Sequence, residues 1–139
     1  MIIVPFKATH IETMKRSDSL GMRYLELPDA RCLEGKLSFT GMVGDVAVMC
    51  AGALEVWPGR YIAWAYVSPD ACHYWKSLHK AVKRFLSDLN AQRIEAEVDS
   101  DFEAGRRWIE RLGFRCEAPR MARFFPDGRD ASLYAITKD

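Results

Sequence analysis

The chain has 139 residues, 49% of them hydrophobic, which is the size and apolar content of one domain with one continuous core. Its 20 basic and 19 acidic side chains leave a net charge of +1, so composition offers no concentrated basic surface for nucleic acid or an anionic membrane. The four cysteines, Cys32, Cys50, Cys72 and Cys116, form no C-x-x-C pair; this argues against a zinc knuckle or a disulfide framework and suits reduced thiols in a cytoplasm.

Ile2 to Phe6 reads as a first strand. This apolar run is short, lacks a basic flank and meets Pro5 and Lys7 too early for a signal peptide, and no run in the chain is long enough to span a bilayer. Thr9 to Met14 predicts a helix start, with Thr9 as N-cap and Glu12 at the third position. Arg16 to Glu34, poorly periodic and interrupted by Pro28, predicts short helical pieces and loop. Lys36 to Val43, Val46 to Val56 and Tyr61 to Val67 are apolar, β-branched or aromatic runs separated by Gly44-Asp45 and Pro58-Gly59, which predicts three antiparallel strands. Gly52, inside the longest run, predicts a bulge or a close backbone approach.

After Val67 the period changes from about two to about 3.6, with Trp75, Leu78, Val82, Phe85, Leu86 and Leu89 on one stripe of a long helix that Asn90 ends. Ser68-Pro69-Asp70 supplies start chemistry. The opposite face carries Lys76, Lys80, Lys83 and Arg84, the wet side that any amphipathic helix needs; its members near the helix start are also ligand candidates. Cys72, His73 and His79 lack a recognised metal-ligand spacing and a fourth partner. Arg93 to Asp99 alternates as a strand, with Ile94, Ala96 and Val98 on one side and Glu95, Glu97 and Asp99 on the other. Ser100-Asp101-Phe102-Glu103 has the form of a capping box, and its register predicts Trp108 and Leu112 buried with Arg106, Arg107 and Arg111 in solvent. Gly113 fits the left-handed C-terminal position. A terminal hairpin is predicted from Met121 to Phe125 and Ser132 to Ile136 across Pro126-Asp127-Gly128.

This order of elements, together with Asp99-Ser100-Asp101-Phe102-Glu103-Ala104-Gly105-Arg106-Arg107-Trp108-Ile109-Glu110-Arg111-Leu112-Gly113-Phe114, resembles the GNAT acyltransferase superfamily, whose corresponding segment often reads N-x-x-A-x-x-L-Y-E-K-L-G-F. The Arg-Trp before Leu-Gly-Phe is similar to the small GNAT-like proteins of tailed bacteriophages. The resemblance implies a single α/β domain: a mixed, mostly antiparallel central sheet with a splayed parallel strand pair and flanking helices. It also implies acyl-coenzyme A as cosubstrate, lying in the V between the strand ending at Val67 and the strand ending at Asp99.

Two motifs depart from that pattern. The loop before the long helix usually reads Q/R-x-x-G-x-G/A, because glycines let backbone N–H groups approach the pyrophosphate. Here Tyr74 stands at the Arg position, with Ser77 and His79 at the glycines, and His73, Lys76, His79 and Lys80 are the side chains that could meet phosphates instead. The tyrosine that often protonates the leaving thiolate falls at Ile109, which leaves Tyr66 and Tyr134 as substitutes. An aromatic at either place is more often core. The usual carboxylate base of the central strand has no counterpart in Tyr61 to Val67, and Glu55 and Asp99 are the nearest acids. Backbone N–H near Val67 would polarise the thioester carbonyl.

Two functions compete. One is an N-acyltransferase acting on an unknown primary amine. The other is an inactive GNAT-like protein for virion assembly or host-protein binding, which the missing glycines and tyrosine favour.

Overall fold

The computed structural model describes residues 1–14, 31–35 and 37–139. Most of the reading of Arg16 to Glu34 therefore lies outside the described residues; within it, Arg31–Leu33 form a single 3-10 turn. The described strands are β1 (Ile2–Pro5), β2 (Ser38–Val43), β3 (Val46–Trp57), β4 (Arg60–Val67), β5 (Arg93–Asp99), β6 (Arg115–Met121) and β7 (Ala131–Thr137). The α-helices are α1 (His10–Thr13), α2 (Trp75–Asp88) and α3 (Glu103–Arg111). The sheet order is β1-β2-β3-β4-β5-β7-β6. β4 and β5 run parallel, while β1–β2, β2–β3, β5–β7 and β6–β7 run antiparallel. This is the expected mixed sheet with a parallel pair and flanking helices. The chain divides into two units, Met1–Leu54 with Trp64–Ser87, and Glu55–Ala63 with Asp88–Asp139.

In the first unit the apolar stripe of α2 packs on β2. Leu78 is fully buried above Gly41, where an added Cβ would come within 2.9 Å of its Cδ2, and Phe85 meets Phe39 with ring centroids 5.6 Å apart. A second cluster joins Phe6, Ala8, Ile11, Met14, Ala47 and Cys50, with Trp64 and Tyr66 of β4 packed against it. The reading of Gly52 as a close approach holds. It pairs with Ser38, and a Cβ there would collide with the Leu37 carbonyl oxygen. The bulge itself falls in β2, between Gly41 and Met42. Thr9 occupies the N-cap position of α1 in a helical conformation and makes no side-chain cap. Thr13 does the anchoring instead: its hydroxyl donates to the His10 carbonyl at 2.8 Å and accepts the Ala47 N–H at 2.9 Å.

In the second unit, Ile94, Ala96 and Val98 of β5 are buried opposite Ile136, Tyr134 and Ser132 of β7. α3 ends in a Schellman motif. Gly113, at φ 104°, donates to the Glu110 carbonyl and Phe114 donates to the Ile109 carbonyl, and Leu112 and Phe114 bury the exit. The capping box does not form. The helix starts at Glu103 with Phe102 at its cap, and the Ser100 hydroxyl donates to the Asp130 carbonyl at 3.2 Å. The register correction follows from this later start: Trp108 is half-buried, and Arg106 is drawn in far enough that its Nε is buried with no hydrogen-bond partner among the described residues. The expected strand over Met121 to Phe125 is also displaced, to Arg115–Met121. Its polar sequence and Pro119 suit an edge strand, whose outer backbone groups need no partner strand.

Candidate active site

The loop between β4 and α2 takes its shape from Ser68. Its N–H donates to the Val48 carbonyl of β3 at 2.9 Å, and because successive strand amides point to opposite edges, the Val67 N–H is directed away from β3. The Ser68 side chain then accepts the Asp70 N–H at 3.2 Å, and its carbonyl accepts the Ala71 N–H at 2.9 Å. Pro69 has no N–H to offer. A 3-10 helix over Pro69–Tyr74 therefore begins at a side-chain cap and runs directly into α2 at Trp75, whose φ −57° and ψ −42° are helical.

The Trp75 end of α2 is thus not a free helix end. Helical turns already precede Trp75, the first amides are occupied within the loop, and Asp70 places a negative charge in the first turn, where a phosphate would otherwise bind. Tyr74 is half-buried with its ring against His73, Ser77 is exposed and His79 is half-buried. Lys76 and Lys80 are exposed. These residues do not form a glycine-type diphosphate cradle, because the donors that such a cradle needs are already bonded.

The acids of β5 project from one face. Ala96 lies opposite Tyr134, whose hydroxyl donates to Glu110 Oε1 of α3 at 3.2 Å, so the apolar side of β5 is the side that α3 covers. Glu95, Glu97 and Asp99 point the other way. Glu95 is buried: Oε1 accepts from Arg60 Nη2 at 3.0 Å, Oε2 accepts from Arg93 Nε at 3.1 Å, and Arg60 Nε also reaches Oε2. Hydrogen bonding from Arg60 is the main cause that holds the Glu95 carboxyl below its ordinary range, against burial. Arg60 also lies over the Trp57 ring, 4.4 Å from its centroid, and Arg93 reaches on to Glu117 of β6.

Of the acids singled out in the sequence, Asp99 is held at both oxygens: Oδ2 accepts from Arg129 Nη1 at 2.8 Å and Oδ1 accepts the Asp101 N–H at 2.9 Å. Glu55 is exposed and accepts the Tyr61 hydroxyl at 2.9 Å. Glu97 is the acid that sequence reasoning passed over. It makes no hydrogen bond or ion pair among the described residues. Its side chain is exposed, so water limits the effect, but desolvation by neighbouring atoms first, then the Glu95 charge, push its carboxyl above the ordinary range, with Arg60 opposing. The β4–β5 ladder consists of Arg60↔Arg93, Tyr61↔Ile94 and Ile62↔Glu95, so Glu97 stands just past its last rung. The alternation of β5 was the available signal, and only the end of the ladder distinguishes Glu97 from its neighbours.

The two tyrosine candidates differ. Tyr66 packs in the Phe6 cluster beside Trp64, with ring centroids 5.7 Å apart, and burial is the main cause that raises its hydroxyl pKa. Tyr134 is 2% exposed, and burial followed by its bond to Glu110 raises its hydroxyl.

No protein-family model matches the chain, and no curated protein matches it. Solved structures do. The Ard1 protein of Thermoplasma volcanium superposes with a TM-score of 0.79 at 16% identity, over 98% of this chain and 96% of that one. The ribosomal-protein-S18-alanine N-acetyltransferase of Escherichia coli gives 0.76 at 17% identity, over 98% and 92%. The yncA putative acetyltransferase of Salmonella typhimurium, solved with acetyl-CoA, gives 0.69 at 17%, over 100% and 94%. At such identities the likeness defines architecture: the chain has the GNAT acetyltransferase fold.

Proposed function

We propose that the chain is an N-acyltransferase that moves an acyl group from a pantetheine thioester, the donor chemistry of acyl-CoA, to a primary amine. The observation that carries this reading is Glu97, an unpaired carboxylate with a raised pKa just past the last rung of the parallel ladder. Glu97 takes the proton that the neutral amine loses as its nitrogen bonds to the carbonyl carbon, and the carbon–sulfur bond breaks. Tyr134 is set aside as the acid, because its buried hydroxyl already donates to Glu110, and the departing thiolate takes its proton from solvent. Glu55 and Asp99 are set aside as bases because each is engaged by a neighbour.

The Ser68-capped loop favours a second reading, a GNAT-fold binding protein without transfer, such as one that serves virion assembly or holds a host protein. The deciding test is thiol release from acyl-pantetheine and acyl-CoA in the presence of small amines and N-terminal peptides. Amine-dependent release supports the transferase, and none from any donor leaves the binding protein.

A further inference from the structure

The filled helix start and the charge on α2 bear on what carries the acyl group. The segment Trp75–Asp88 holds Lys76, Lys80, Lys83 and Arg84 against one acid, Asp88. At 100° per residue Lys76, Lys80 and Lys83 fall on one narrow stripe, opposite the buried Leu78, Val82 and Leu86. All three are exposed, and none makes an ion pair or side-chain hydrogen bond among the described residues. A solvated face need not look like this. α3 pairs Arg107 with Glu103 one turn away, whereas α2 sets Lys76 against Lys80 at the same spacing. Like charges in that pattern cost helix stability, and an acidic partner laid along the stripe would relieve them.

Resting on the transferase reading, we infer that the acyl donor is a phosphopantetheine arm on a small acidic carrier protein, docked on the Lys76–Lys80–Lys83 stripe of α2. Free CoA brings a diphosphate that needs a cradle of unbonded amides, and here Asp70 and Ala71 have given theirs to Ser68. A carrier-borne arm has a single phosphodiester and draws its remaining affinity from protein–protein contact, for which the lysines suffice. In the transfer the amine displaces the carrier's thiol: a C–N bond forms, the C–S bond breaks, and the proton that the amine loses balances the one that the departing thiolate gains to give the free thiol of the holo-carrier.

The test uses the full chain with a bacterial type II acyl carrier protein, as apo, holo and acetyl forms, together with acetyl-CoA and a single-stranded RNA of similar charge. Calorimetry should show the carrier binding, weakening about ten-fold as salt rises from about 50 to about 300 mM, and weakening about ten-fold in K76E/K80E/K83E, with thermal unfolding used to check that the variant is folded. Acetyl transfer should be at least about ten-fold more efficient, by kcat/KM, from the carrier than from acetyl-CoA, a margin of about 1.4 kcal/mol. Equal or better use of acetyl-CoA, or no carrier binding, overturns the inference and leaves the transferase standing. RNA that binds more tightly than the carrier and depends on the same lysines also overturns it. Transfer from neither donor overturns both.

Discussion

Replacing Glu95 by Gln tests the electrostatic frame around the proposed base. The Glu95 side chain is 8% exposed and holds Arg60 and Arg93, which are 28% and 31% exposed. Breaking a fully buried pair costs about 3 to 5 kcal/mol, but both arginines keep access to water and Gln still accepts one bond, so about 1 to 3 kcal/mol is expected. For a chain of this size that lowers the thermal midpoint by roughly 3 to 12 °C. The sign with pH is fixed. The folded carboxyl of Glu95 lies below its ordinary value of 4.5, so its stabilisation is complete above that value and is lost as pH falls through the folded value. The wild type and Glu95→Gln should therefore differ fully at neutral pH and converge in strong acid. Removing the Glu95 charge also removes one cause of the raised Glu97 carboxyl, so the acid limb of the pH–rate profile should move to lower pH. A midpoint difference that is absent, or that persists unchanged into strong acid, would refute the reasoning.

Gly52→Ala sets a Cβ against the Leu37 carbonyl oxygen and within 2.9 Å of Ser38 Cα, and since backbone cannot step aside cheaply it should cost about 1 to 3 kcal/mol in denaturant unfolding. Ser68→Ala deletes the cap on Asp70 and should cost about 1 kcal/mol; an unchanged midpoint would show that the loop is held some other way. Leu112→Ala empties a site that is 6% exposed at the end of α3 and should cost about 2 to 5 kcal/mol, read by thermal unfolding.

Much of the fold was legible in the sequence because its signals are strong and local. The strand-to-helix change of period after Val67, the alternation of Arg93–Asp99 and the left-handed Gly113 are all where the pattern puts them. The failures share a cause, which is competition for short polar side chains. Ser100 and Thr9 look like caps, but Ser100 turns to the Asp130 carbonyl and Thr9 bonds only through its backbone, while Ser68, read only as part of a helix start, is the cap that decides the loop. β6 was misplaced because edge strands tolerate proline and charge. The site was less legible than the fold. No sequence pattern says where a parallel ladder stops, and Glu55, Glu97 and Asp99 are alike until Tyr61 and Arg129 engage the first and the last.

The central claim is that Glu97 is the base of a thioester-dependent amine acylation, and the most direct measurement is the pH dependence of thiol release for wild type and Glu97→Gln. The account predicts a wild-type rate that climbs with pH through a value above the ordinary 4.5, because the base must be ionised and its carboxyl is raised. Glu97→Gln should lose about 10² to 10⁴-fold in rate, lose that limb, and keep its stability at neutral pH. A folded Glu97→Gln variant that releases thiol at the wild-type rate with the wild-type profile would contradict it.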